Sequence, residues 1–146
     1  MLTDTVLEVE AADLEEREFQ LEELEDRDVA ATSVVLKNDG SIEAGATNGP
    51  IPLSCRGKWS FTDKIFTMEI TREFDASIPY TVTRILAGFV EEVLPATDTV
   101  IISGDITMEE NMEVGYFKMI SAPSDILDSL ERVDKKAQNV LRSRRD

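Results

Sequence analysis

Two stretches of strict alternation dominate the hydrophobic pattern. From Leu53 to Phe61 the apolar or small residues occupy odd positions: Leu53, Cys55, Gly57, Trp59 and Phe61. From Phe66 to Phe74 they fall on Phe66, Met68, Ile70 and Phe74. A period of two sustained this long belongs to strands with one face in a core and the other in water. Thr62-Asp63-Lys64 joins the two runs at hairpin length.

The same grammar extends in both directions. Thr32–Leu36 is rich in β-branched residues, Asn38-Asp39-Gly40 is a short-hairpin signal, and Ile42–Ala44 is the return strand. Asn48-Gly49-Pro50 is a second turn. Tyr80–Val93 places Tyr80, Val82, Leu86 and Val90 on one face, with Gly88 at a bulge or bend. Thr99–Met108 alternates through Val100, Ile102, Ile106 and Met108, with Gly104 at a close approach; Asn111–Ile120 alternates through Met112, Val114, Tyr116 and Ile120. Strands at this spacing predict an all-β protein, an antiparallel up-and-down meander or partly open barrel of about seven strands.

The two ends of the chain depart from this pattern. Residues 1–28 hold twelve acids and two bases and read as an acidic N-terminal arm. Leu7, Leu14 and Leu21 repeat at seven, so a partial helix fits around Asp13–Glu25, but the acids covering it repel one another and the segment reads as extended or partly helical, ordered only against something else. The β domain then spans 29–122. Over 123–146 the apolar positions Ile126, Leu127, Leu130, Val133, Ala137, Val140 and Leu141 recur at helical spacing. Ser124 is the N-cap of that C-terminal helix, and Arg142, Arg144 and Arg145 suit the negative end of its dipole.

Composition narrows the chemistry. At 146 residues with 42% hydrophobic content the chain supports one domain with a working core. Histidine is absent, which removes the commonest general base, the imidazole-activated nucleophiles and the usual metal ligand. The single cysteine, Cys55, excludes an internal disulfide and every multi-cysteine metal site within the chain. The net charge of −15 repels nucleic acid. No run of about 18 apolar residues suits a membrane-spanning helix, and no secretory signal pattern opens the chain.

Individual residues are weighed on the same terms. Cys55 reads as an inert core thiol without a cationic partner, since Arg56 points to the opposite face. Asn38-Asp39-Gly40-Ser41-Ile42 resembles the centre of a calcium loop, but Val35, Lys37 and Ala46 stand where three oxygen ligands belong, so the hairpin wins. The carboxylate pairs Glu22/Glu23, Glu91/Glu92 and Glu109/Glu110 point to opposite faces of a strand and read as solvated charge. Arg72 and Arg84 interrupt otherwise apolar faces; an ion pair with Glu or Asp at the barrel rim outweighs a ligand acid group. Neither a metal nor another cofactor is expected.

Gly57-Lys58-Trp59 resembles the Gly-x-Trp element of lipocalin-type barrels, although it stands here on a middle strand instead of near the first. That likeness implies Trp59 as a plug at one barrel end. A second resemblance rests on the order of several segments: Phe19–Asp26, Lys37–Ser41, Asn48-Gly-Pro50, Gly57-Lys-Trp59, Phe66–Arg72, Tyr80–Arg84 and Val114–Ile120. Together these are similar to a group of small β-rich plastid proteins of red-lineage algae. The group includes a peripheral subunit on the stromal face of photosystem I with its fucoxanthin–chlorophyll antenna.

The resemblance implies a non-catalytic accessory subunit that stabilises this assembly without pigment. It would be peripheral to the thylakoid membrane on its stromal side, with photosystem I core and antenna subunits as partners. The alternative localisation is soluble, cytoplasmic or stromal. The acidic residues Glu15, Glu16, Glu22, Glu23, Glu25 and Asp26 and the basic Arg142, Arg144 and Arg145 are the expected partner interface. The alternative function is a lipocalin-like carrier of a small apolar ligand. It expects a dry cavity lined by Trp59, Phe61, Phe66, Met68, Arg72, Arg84 and Tyr116, although the bulk of these side chains argues that they fill the space themselves.

Overall fold

Alternating strands carry almost all of the structure, a computed structural model that describes residues 9–121. Eight strands follow a four-residue helix, α1 (Ala11–Leu14). They are β1 (Arg17–Glu25), β2 (Asp28–Leu36), β3 (Ile42–Thr47), β4 (Ser54–Thr62), β5 (Ile65–Phe74), β6 (Tyr80–Leu94), β7 (Thr99–Thr107) and β8 (Glu113–Ser121). All pair antiparallel in the order β3-β2-β1-β8-β7-β6-β5-β4. The order is a meander wrapped into a nearly closed barrel, because the first strand hydrogen-bonds to the last. The seam lies between β3 and β4, which are consecutive in sequence and meet through the Ser41–Lys58 bridge and the Trp59 N–H donating to the Gly40 carbonyl at 2.8 Å.

Seven of the eight strands match the expected ones; the eighth, β1, lies in the segment read as an acidic arm and is extended, not partly helical. Within β1, Phe19, Leu21 and Glu23 are buried while Glu18 and Leu24 are exposed, a period of two and not a helical stripe. Barrel closure against β2 and β8 is what orders this acidic segment, by satisfying its backbone on both sides. Leu14 and Leu21 therefore belong to different elements. Glu16, with a φ of 58°, turns the chain from α1 into β1. The expected C-terminal helix over 123–146 lies outside the described residues.

The core is a cylinder of inward side chains. Phe19, Leu21, Val34, Leu36, Phe66, Met68, Ile70, Leu86, Ile102, Ile106 and Met119 have no exposed surface. Burying such side chains stabilises a fold by about 1.5–3 kcal/mol each. At the closed end α1 adds the fully buried Leu14, and Trp59 stacks near Phe66 with ring centroids 6.5 Å apart. Gly88 and Gly104 face each other across β6 and β7. A Cβ on Gly88 would sit 1.9 Å from the Ser103 carbonyl oxygen, and one on Gly104 2.1 Å from that of Ala87. Only glycine lets the two backbones close this tightly, and here the sheet coils into a barrel.

Two bulges alter the expected faces. In β8 the pairing slips between Ile106 and Thr107, so inward positions change from the even series to Phe117 and Met119. Tyr116 is exposed in consequence, at 59%, whereas Met112, at 60%, lies in the turn before β8. In β6 the slip between Val90 and Glu92 leaves both Glu91 and Glu92 in solvent, correcting the expectation that they face opposite sides.

Candidate functional site

Four loops surround the end of the barrel opposite α1, and the interior just beneath them is charged. From β1, Glu23 and Glu25 point inward; from β5 and β6, Arg72 and Arg84 meet them. The Arg72 guanidinium donates to both Glu23 carboxylate oxygens, at 2.6 Å from Nη2 and 3.3 Å from Nη1. Arg84 Nε donates to the two Glu25 oxygens at 3.1 and 3.2 Å. Three strands separate β1 from β5 in the sheet order, so the first pair bridges the barrel. Glu23 is 6% exposed and the Arg72 side chain 15%; the Arg84–Glu25 pair is wetter. Burial disfavours the Arg72 charge, but the Glu23 carboxylate more than offsets it and holds the guanidinium above its ordinary pKa.

The inward reading of Arg72 and Arg84 therefore resolves into ion pairs with β1. Glu23 and Glu25 correspondingly face the interior and leave the expected partner surface. Glu23 also departs from the solvated-pair reading. Glu16 holds the β2–β3 hairpin, its carboxylate accepting from Lys37 Nζ at 2.6 Å and from the Asn38 N–H at 2.8 Å. Those bonds hold its carboxyl below the ordinary range, and Glu16 in turn raises Lys37. Glu15 and Asp26 are exposed, whereas Glu22 is half-buried on the outer face of β1. Arg142, Arg144 and Arg145 lie outside the described residues.

Beside the ion pairs, a cleft of about 480 Å³ follows the seam, with Ala44–Thr47 on one wall and Ile51–Cys55 on the other, and Arg72 at its base. Cys55 is opposite Arg72 in register, which corrects the expectation of a thiol without a cationic neighbour. Burial nevertheless dominates and pushes the thiol pKa up, with Arg72 acting against it, so Cys55 remains a poor nucleophile at neutral pH. The other expected cavity residues do not converge on an opening. Phe66 and Met68 are fully buried, Phe61 is half-buried, and the Trp59 indole N–H donates to the Lys37 carbonyl at 2.8 Å at the closed end. Tyr116 stands on the outer surface. There it lines an open groove of about 520 Å³ with Leu24, Val29, Phe89, Glu91 and Asp105.

Two features escaped sequence reasoning. The carboxylate partners of Arg72 and Arg84 were concealed because Glu23 and Glu25 continue the inward series begun by Phe19 and Leu21. The exposed Ile51 and Ile78 stand beside prolines in turn-like segments, and that Pro-Ile-Pro and Ile-Pro context was the available signal. Among the described residues no group of three or more histidine, cysteine, aspartate or glutamate side chains is placed to hold a metal ion. Comparisons with protein-family models, with curated proteins and with solved structures returned no match.

Proposed function

We propose that this protein is a non-catalytic docking protein, an accessory subunit on the stromal surface of photosystem I and its antenna. The host assembly is taken from the sequence resemblance. The structural observation that supports a docking role is the filled barrel: Phe19, Leu21, Phe66, Met68 and Met119 occupy the interior, and the Glu23–Arg72 pair bridges it near the open end. Specific recognition then falls to the outer surface and the loops. An acidic surface associates with basic partners through steering and complementary charge.

A test is gradient co-migration from mildly solubilised photosynthetic membranes, with and without a high-salt wash. The proposal expects co-migration with photosystem I that salt removes. A free species in every fraction contradicts it.

The seam cleft favours a second reading, a carrier of a small apolar ligand. Its volume falls in the range used by small-molecule sites, and Ile51, Pro52 and Leu53 give it an apolar wall. Native mass spectrometry of the purified protein, followed by organic extraction, would detect such a ligand as a stoichiometric mass increment. A bare mass throughout would set this reading aside.

A further inference from the structure

The two ends of the barrel differ in a way that the packing of the core does not require. At the closed end α1 and the loops carry Glu10, Asp13, Glu15, Glu16, Asp39 and Asp63 beside Lys37 and Lys64, while Asp98 pairs with Arg17 at 3.3 Å; both ends are acidic, and they differ in the apolar side chains they expose. At the open end the loops 26–27, 48–53, 75–79 and 108–112 carry Asp26, Asp75, Glu109 and Glu110 against the single base Arg27. The same loops project large apolar side chains. Ile51 is 83% exposed, Ile78 82%, Leu53 67% and Met112 60%.

These side chains are presented by stiff backbone. Ile51 sits between Pro50 and Pro52, and Ile78 precedes Pro79. Each proline fixes its own φ, and the residue before it is held extended. Met112 closes a tight turn in which Glu110 and Asn111 have φ of 73° and 61° and the Met108 N–H donates to the Met112 carbonyl at 2.8 Å. Apolar side chains on pre-ordered loops lose little entropy on docking, so their burial is retained as affinity. Water is a poor environment for them, and no core position demands that they be there.

We propose that this open end is the docking face. It fits a protein surface that offers apolar pockets inside a ring of lysine and arginine. Charge selects that occupant: the rim acids would repel an anionic membrane or a second copy of this acidic chain, and would complement a basic one. Ile51, Ile78 and Met112 are the anchors; Asp75, Glu109 and Glu110 supply the polar rim. The inference deepens the docking reading and stands apart from the identity of the host.

The test is a titration of isotope-labelled full chain with a short amphipathic helical peptide of leucine and lysine, followed by amide shift mapping. Lysine–glutamine and leucine–glutamate peptides serve as controls. Expected are shifts at Ile51, Ile78 and Met112, with binding weakened about tenfold or more both by each control and by the triple variant Ile51→Ser, Ile78→Ser, Met112→Ser. An unchanged melting temperature of that variant establishes that its fold is intact.

Shifts confined to Leu24, Phe89 and Tyr116, or unchanged binding by the folded variant, overturn the proposal. Dimerisation through the rim, or flotation with phosphatidylcholine vesicles in preference to the peptide, overturns it as well. Loss of photosystem co-migration with peptide binding intact refutes only the host; retained co-migration by the triple variant refutes the open end as docking face.

Discussion

Glu23 of β1 and Arg72 of β5 join opposite walls of the barrel through two hydrogen bonds, the shorter at 2.6 Å. Charges this buried lose hydration, so the pair must stay matched to be tolerated. Removing one partner strands the other. We expect Glu23→Gln or Arg72→Met each to destabilise the fold by about 3–5 kcal/mol. The double variant Glu23→Leu, Arg72→Met should cost less than the sum of its two singles. Urea unfolding of the four proteins checks this as a double-mutant cycle.

The Arg84–Glu25 pair gives an internal comparison. Its side chains are more exposed, at 18% and 33%, so solvent already screens it. Arg84→Met should cost about 1 kcal/mol, well below the Arg72 variant. Equal losses in the same urea series would contradict the ranking.

How much of this was legible in the chain follows from one rule, period two, and from where it is interrupted. Trp59, Phe66, Met68 and Ile70 announce β4 and β5 because the inward series stays apolar until Arg72. The inward series of β1 turns from Phe19 and Leu21 to Glu23 and Glu25, so composition reads as an acidic arm although geometry makes a strand. The reason is long-range: those carboxylates are tolerated inside only because Arg72 and Arg84 arrive from distant strands. The β8 face was misread for a local reason, since a bulge at Val114, marked only by the adjacent Gly115, moves the inward set to Phe117 and Met119. Of the expected interface, Glu23 and Glu25 were drawn into the fold, whereas the apolar rim residues were visible as letters and invisible as a surface.

Gly88 and Gly104 set the barrel's curvature. Alanine at Gly104 would place a Cβ 2.5 Å from the Gly88 Cα, and backbone cannot yield as a side-chain tip can. Gly104→Ala should destabilise by about 1–3 kcal/mol or more, read as a lowered thermal midpoint. A midpoint equal to the parent's would show that the sheet can open there freely.

Acid should weaken the β2–β3 hairpin through Glu16. Its folded pKa lies below the ordinary value near 4.5, chiefly because Lys37 bonds the ionised form. The stabilisation is complete above that ordinary value and is lost as pH falls through the lowered folded one. Glu16→Gln should therefore be less stable than the parent at neutral pH, with the two stability curves converging in acid. A pH-independent gap between them contradicts this assignment.

Cys55 provides a probe of the open end. Its raised pKa, caused first by burial, predicts alkylation by iodoacetamide slower at pH 8 than that of the unfolded chain. Arg72→Met should slow the folded-state reaction further, because the cation opposing the shift is gone. Faster alkylation in that variant would mean that access, and not thiolate fraction, controls the rate.

The account turns on β1 as the strand that closes the barrel, leaving the open-end loops as the recognition surface. Hydrogen exchange of the full chain, resolved amide by amide, tests this directly. Protection within Gln20–Glu25 should match that of Ile102 and Ile106 in the barrel wall, while the amide of the exposed Ile51 exchanges fast. Exchange of Gln20–Glu25 at the rate of Ile51 would mean the acidic segment stands free of the barrel, and would contradict the account.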